Sequence, residues 1–278
     1  MARSVQHDLY GVVGNPVRHS LSPAMMNAAL VHLAVPAFYL ALESEDFAQD
    51  LEGLVELGLR GLSVTIPHKE TALGLCAWVD EAAREIGAVN TLRWSEKGWE
   101  GRNTDWIGAV RALQSAVELG GQRALVLGAG GAAKAVIYGL VRSGLQVTVA
   151  NRTEAKARDL AARFGCHWVP LAHMKEVSVD LVVHCTAGGL RGRSYAFALE
   201  EVPFRPGAVV MDIVYSPLDT PFLQAARAAG ASVVDGLEML LHQGVEQLSW
   251  WLGRPAPESV MRRALRDAAG GREGREGA

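Results

Sequence analysis

The sequence is poor in cysteine, in aromatic residues and in net charge. Its three cysteines, Cys76, Cys166 and Cys185, make no CxxC pair and no framework, which excludes a disulfide-stapled secreted scaffold and leaves buried thiols in a reducing compartment as the expectation. Aromatics are only 6% of the chain, and Trp94, Trp99, Trp106, Trp250 and Trp251 lack the interleaved positive charge of a base-stacking platform, so they read as packing. Lys and Arg number 27 against 30 Asp and Glu, a formal net charge of −3, so no basic face grips DNA, RNA or an anionic membrane. No window reaches about 18 apolar residues without a charge or a glycine cluster, and the first eight residues lack the apolar region of an export signal. The expectation is a cytoplasmic chain, monomer or homodimer, whose partners are small molecules. Cys166-His167 and His184-Cys185 pair zinc-binding side-chain types, but their spacing matches no ligand pattern and no metal site is expected.

What is present is a chain of 278 residues, 49% hydrophobic and 21% charged, long enough for two modest domains. Short β-like runs at 9–13, 38–42 and 61–66 alternate with helical stretches at 23–33 and 47–57, a βαβαβ rhythm. Gly120-Gly121 breaks the chain before the apolar run Ala124-Leu125-Val126-Leu127, the pattern of a strand buried on both faces of a parallel sheet. Further runs at 146–150, 168–169, 181–185, 209–213 and 232–234 predict a doubly wound α/β sheet. Apolar residues at 237, 240, 241, 245, 248, 251 and 252 predict an amphipathic helix over 237–252. The glycine-rich, charged tail is too poor in apolar groups to offset its chain entropy, and 271–278 is expected to be disordered.

Gly128-Ala129-Gly130-Gly131-Ala132-Ala133 fits G-x-G-x-x-[G/A] between a strand and a helix, where glycines let the backbone approach a pyrophosphate resting on the helix N-terminus. The alternative is a strand-to-helix turn with no ligand. About twenty residues on, where NAD enzymes place a carboxylate for the ribose hydroxyls, stands Asn151-Arg152-Thr153, with Lys156 one turn later. A guanidinium and a hydroxyl without a repelling carboxylate favour a 2′-phosphate, hence NADP(H) over NAD(H). Against this stands a solvated Arg152 beside an Asn151 that merely caps a helix.

Three polar clusters precede the glycine loop. In His19-Ser20-Leu21-Ser22-Pro23, Pro23 suits the first helical position and Ser22 the N-cap, while two serines at a helix N-terminus also suit a substrate carboxylate. Gly61-Leu62-Ser63-Val64-Thr65-Ile66-Pro67-His68-Lys69 runs from strand into helix, with Lys69 either solvated or an acid/base group. Asn90 and Asp105 complete the set, Asp105 being a helix N-cap or the carboxylate that orients the Lys69 amine.

Taken together, Gly14-Asn15-Pro16, Ser20 to Pro23, Val64 to Pro67 with Lys69, Gly87 to Thr91, Asn103-Thr104-Asp105, the glycine loop, Asn151-Arg152-Thr153, and Gly236 with Met239 and Gln243 make this chain resemble the shikimate dehydrogenase family over nearly its whole length. The resemblance implies a substrate domain over 1–106 plus 238–270, a Rossmann-like NADP domain over 107–237 and a cleft at their junction. It implies hydride transfer between NADPH and the C3 carbonyl of 3-dehydroshikimate, in chorismate and aromatic amino-acid biosynthesis. By the same resemblance Ser20 and Ser22 hold the substrate carboxylate, Thr65, Asn90, Tyr215 and Gln243 its hydroxyls, and Lys69 with Asp105 flank the reacting oxygen. Gly128, Ala129, Gly130, Gly131 and Ala132 take the pyrophosphate, Asn151, Arg152, Thr153 and Lys156 the adenosine phosphate, and Ile213, Gly236 and Met239 the nicotinamide; Glu81 matches a position near the cofactor.

Two departures qualify the match. Ser63 stands where the family usually has Asn, so a substrate contact is lost or bridged by water. His184 and Leu190 replace the usual Asn and Met in a loop near the cofactor. The rivals are a quinate/shikimate dehydrogenase accepting NAD and a non-catalytic shikimate or quinate sensor; the Lys69/Asp105 pair argues against the sensor. Another kind of two-domain NADP enzyme leaves the paired serines and the Asn90/Asp105 set unexplained.

Overall fold

The computed structural model describes residues 7–276, which divide into two compact units: the chain up to Thr104 together with Gln243 onward, and Asp105 to His242. In the first unit, β1 (Asp8–Gly14), α1 (Ser22–His32), β2 (Ala37–Glu43), α2 (Phe47–Glu56) and β3 (Leu59–Val64) realise the βαβαβ rhythm, with β1 parallel to both β2 and β3. α3 (Lys69–Gly74), β4 (Trp78–Val79), α4 (Glu81–Ile86), β5 (Thr91–Ser95) and β6 (Gly98–Arg102) follow, giving a mixed sheet in the order β2-β1-β3-β5-β6-β4. The β5–β6 hairpin escapes the sequence reading, because its strands are short and rich in charge. Trp94 faces Trp99 across it with ring centroids 5.1 Å apart, and Gly98 closes the turn at φ +106°, in the region open mainly to glycine.

The second unit holds α5 (Asp105–Gln114), β7 (Arg123–Leu127), α6 (Gly131–Arg142), β8 (Gln146–Ala150), α7 (Glu154–Phe164), β9 (His167–Val169), β10 (Leu181–His184), β11 (Val209–Asp212), α8 (Pro221–Ala228) and β12 (Ser232–Val234). Every strand pair is parallel and the order is β12-β11-β10-β7-β8-β9, the doubly wound arrangement that reverses direction at β7. Alternation along each strand sorts the core into two layers. Ala124 and Val126 join Leu181, Val183 and Met211 with Ala109 of α5 and Val136 of α6, while Leu125 and Leu127 join Val182, Val210 and Phe222 of α8.

Two helices end the chain, α9 (Gly236–Leu252) and α10 (Glu258–Glu276). α9 runs unbroken across the boundary, so the division falls inside it at 242/243 and the other joint falls at 104/105, a few residues from the expected 237/238 and 106/107. Gly236 starts the helix. In the first unit Trp251 lies on Gly61: a Cβ there would sit 2.6 Å from the indole nitrogen, which donates to Leu92 O at 2.9 Å. α10 continues to Glu276, where composition alone predicts disorder from 271; Arg and Glu are good helix formers and extend a helix already started on its apolar residues Met261 and Leu265. The last two residues of that expected tail lie outside the described residues.

Candidate active site

At the carboxyl end of β3 the chain turns directly into α3, and backbone hydrogen bonds gather three segments there. Thr65 N–H donates to Val13 O at 2.9 Å, Asn15 N–H to Ile66 O at 2.9 Å, Val64 N–H to Asn90 O at 2.8 Å and Val89 N–H to Lys69 O at 2.9 Å. The structure thereby brings Thr65, half-buried Lys69 and Asn90 to one end of the first sheet, beside the loop that carries the serines. Gly14 is required at this junction, since a Cβ would lie 2.4 Å from Thr65 Cγ2.

The capping reading of Ser22 is corrected. α1 begins at Ser22 itself, with Leu21 at the N-cap and no capping side chain there, and Ser20 Oγ accepts the Ser22 N–H at 3.2 Å. The turn that bonds Ser20 N–H to Val17 O at 2.8 Å delivers the Ser20 hydroxyl to the helix mouth first. Ser22 is left as a buried hydroxyl in the first turn, with Ser20 half-buried before it.

Behind these groups lies a buried polar network. Tyr39 OH donates to Ser63 Oγ at 2.7 Å, Ser63 donates to Gln247 Oε1 at 2.7 Å, and Gln247 Nε2 donates to Thr91 Oγ1 at 3.0 Å and Asn90 O at 3.3 Å. Asn90 Oδ1 accepts from Thr91 Oγ1 at 2.8 Å and from Thr104 N–H at 2.7 Å, and its Nδ2 donates to Thr104 Oγ1 at 3.0 Å. Ser63 thus commits its hydrogen inside the fold, and Asn90 anchors Thr104. Sequence reasoning misses Tyr39 and Gln247. A signal for Gln247 exists, since it stands one helical turn beyond the buried Gln243 on α9.

In the second unit, Gly128 leads β7 into α6 at φ +127°, and a Cβ there would sit 2.9 Å from Cys185 O. Gly130 differs: at φ −87°, with nothing within 4 Å of where a Cβ would stand, its missing side chain serves no internal contact and leaves the loop open to an approaching group. Gly131 begins the helix, flanked by half-buried Ala129 and Ala132. Gly128, Asn151 and Arg152 line one cavity of about 350 Å³. The N-cap of α7 is Thr153, while Asn151 Nδ2 donates to Thr153 O at 3.0 Å, so the capping alternative for Asn151 is also corrected. Arg152 and Lys156 are exposed, one before and one within the first turn of α7. This glycine cradle with a basic flank fits a phosphorylated dinucleotide.

Asp105 is the buried first residue of α5 and Tyr215 is half-buried after β11, so both belong to the second unit, whereas Ser20, Ser22, Ser63, Thr65, Lys69, Asn90 and Gln243 belong to the first. Gly236 touches Ile213, a Cβ there falling 2.5 Å from Ile213 O, and Met239 packs in the core that Ile213 borders. Glu81 is exposed at the start of α4 and belongs to the first unit, whereas the glycine loop belongs to the second. The thiols are poor nucleophiles: burial pushes Cys76 up to about 12 and Cys166 to about 11, and raises Cys185 as well. Among the described residues no group of three or more His, Cys, Asp or Glu is placed to hold a metal ion, and no helix is long and apolar enough to cross a membrane.

Family models match the chain at 12–92 (shikimate dehydrogenase substrate binding domain), 111–191 (shikimate / quinate 5-dehydrogenase) and 236–266 (shikimate 5'-dehydrogenase C-terminal domain). A shikimate dehydrogenase (NADP(+)) of Syntrophobacter fumaroxidans is 52% identical over 272 residues, covering 96% of this chain and 95% of its own. The chain belongs to the shikimate dehydrogenase family. Among solved structures, the Thermus thermophilus shikimate 5-dehydrogenase in complex with NADP(H) and shikimate is 39% identical with a TM-score of 0.87, over 94% of this chain and 99% of that one. A quinate dehydrogenase from Corynebacterium glutamicum in complex with NAD is 30% identical with a TM-score of 0.85, over 94% and 99% of the two chains.

Proposed function

We propose that the protein interconverts 3-dehydroshikimate and shikimate with NADP(H). The observation that carries the reading is the set gathered at one end of the first sheet: paired serines at the mouth of α1, the hydroxyl of Thr65, and the Lys69 amine on the first turn of α3. Such a set suits a small carboxylated polyol whose carbonyl must receive a proton. Ser20 and Ser22 hold the carboxylate, aided by the positive end of α1, and Thr65, Asn90, Tyr215 and Gln243 sort the hydroxyls. Bound NADPH supplies the hydride to C3. Lys69 Nζ delivers the proton to the C3 oxygen, or holds the alkoxide as it forms, with Asp105 as its carboxylate partner.

For the cofactor, Gly128 to Ala132 and the N-terminus of α6 take the pyrophosphate, and Asn151, Arg152, Thr153 and Lys156 the 2′-phosphate. Ile213, Gly236 and Met239 form the nicotinamide side, and Glu81 is a minor contributor. Following absorbance at 340 nm with shikimate and quinate, each with NADP⁺ and with NAD⁺, tests the reading. Turnover of shikimate with NADP⁺ is the expected result. Preference for quinate with NAD⁺ would place the chain with its quinate dehydrogenase neighbour, and binding without turnover would make it a sensor.

A further inference from the structure

His184 is a buried imidazole that no role above uses. Its ring is fully buried at the end of β10, stacked on Phe222 with centroids 4.8 Å apart and tilted against Tyr195 at 5.3 Å. Nδ1 lies 2.8 Å from Asp212 Oδ1 and Nε2 lies 2.5 Å from Thr186 Oγ1. Asp212 is itself fully buried and also accepts the Val214 N–H at 3.0 Å and the Thr220 hydroxyl at 2.7 Å.

With Asp212 accepting at Nδ1, the tautomer that satisfies every partner has Nδ1 donating to Asp212 Oδ1 and Nε2 accepting the Thr186 O–H. The Thr186 oxygen is then left to accept the Gly188 N–H, at 3.1 Å. The relay therefore runs Gly188 to Thr186 to His184 to Asp212. Its inner end is locked by Thr220, which caps α8 by accepting the Leu223 N–H at 3.3 Å. Its outer end is exposed to the ligand space: Thr186, Ala187 and Gly188 line the same cavity as Gly128, Asn151 and Arg152, whereas His184 does not reach it.

We propose that His184 is a positioning residue for the dinucleotide: by holding the Thr186 hydroxyl it fixes the 186–188 turn as a wall of the NADP(H) cavity. The proposal rests on the cofactor reading given above.

The test is calorimetric binding of NADP⁺ to the intact protein, alongside KM for shikimate and Tm, for Thr186→Val, His184→Phe, His184→Gln and the double variant Thr186→Val/His184→Phe. Thr186→Val keeps the shape of a half-buried side chain and stays informative if His184→Phe does not fold. The expected result is a rise in Kd for NADP⁺ of about five- to tenfold in Thr186→Val and in His184→Phe, the loss of one hydrogen-bonded link. KM for shikimate stays within about twofold, because the wall faces the nucleotide. His184→Gln, whose amide oxygen can still accept from Thr186, recovers part of the affinity. The double variant is no worse than the worse single one, since both cut the same relay. A folded Thr186→Val whose Kd matches the parent, or losses that add in the double variant, overturns the proposal. If the parent protein itself fails to bind NADP⁺, it is the cofactor reading that falls.

Discussion

The Tyr39 hydroxyl donates to Ser63 Oγ at 2.7 Å, and Ser63 donates onward to Gln247 at the same length. A phenol from β2 and an amide from α9 thus meet across a side chain of one carbon and one oxygen. A longer side chain at position 63 would have to push these two partners apart. Ser63→Ala leaves both partners buried without their bridge, so the urea midpoint falls by the equivalent of about 1–3 kcal/mol. Ser63→Asn lowers it by a similar amount through overpacking, and adding Tyr39→Phe restores part of the loss. A Ser63→Asn protein as stable as the parent would show that the network has slack.

Lys69 sits half-buried on the first turn of α3, with its carbonyl pinned by the Val89 N–H. Its backbone place does not depend on its side chain. Lys69→Ala is therefore expected to lower kcat by about 10²–10⁴, the usual contribution of a positioned proton donor, while Kd for NADP⁺ is unchanged. A kcat within about tenfold of the parent would remove Lys69 from the chemistry.

Arg152 is exposed and lines the cavity that Gly128 and Asn151 also border. Arg152→Ala should raise KM for NADPH by about 10-fold or more, as expected for a lost charge-assisted contact, and leave KM for NADH nearly unchanged. The NADPH effect should shrink at high salt, because an exposed charge is screened. Equal losses with both cofactors would sink the 2′-phosphate assignment.

The thiols give a stability signature at alkaline pH. Burial holds Cys76 up to about 12 and Cys166 to about 11, above an unfolded thiol near about 8.5. The folded state therefore keeps protons that the unfolded chain releases. Their contribution is complete below about pH 8.5 and is lost as pH rises through the folded values, so Tm falls across that alkaline window. Iodoacetamide at about pH 8 should label the native protein slowly and the urea-unfolded protein quickly; fast native labelling at Cys76 or Cys166 would refute the raised values.

Local signals make much of this legible from the sequence. The β8 run at 146–150 and the glycine loop follow from periodicity and from the strand–loop–helix context, and the structure returns β8 as Gln146–Ala150. What escapes depends on distant partners. Ser22 looks like a cap because Pro23 follows it, yet the Val17–Ser20 turn decides which serine reaches the helix mouth. Asn151 looks like a cap for the same local reason, and helix α7 starts two residues later than that reading requires. Tyr39, Ser63 and Gln247 are separated by 24 and 184 residues, and no pattern in the chain announces that they meet. His184 and Asp212 become a pair only because β10 and β11 are neighbours in register.

The closure of Trp251 over Gly61 has a consequence for the order in which the molecule is made. The second unit is one continuous stretch, Asp105 to His242, and is complete in the growing chain before any of α10 exists. The first unit's sheet emerges earliest but waits for Gln247 and Trp251, which arrive roughly 7–30 s after Thr104 at ordinary rates of synthesis. During that interval Ser63 has no amide to bond and the Gly61 face has no indole. The domain begun first is therefore the one finished last, and the nascent chain must carry an uncovered sheet through the whole synthesis of its neighbour.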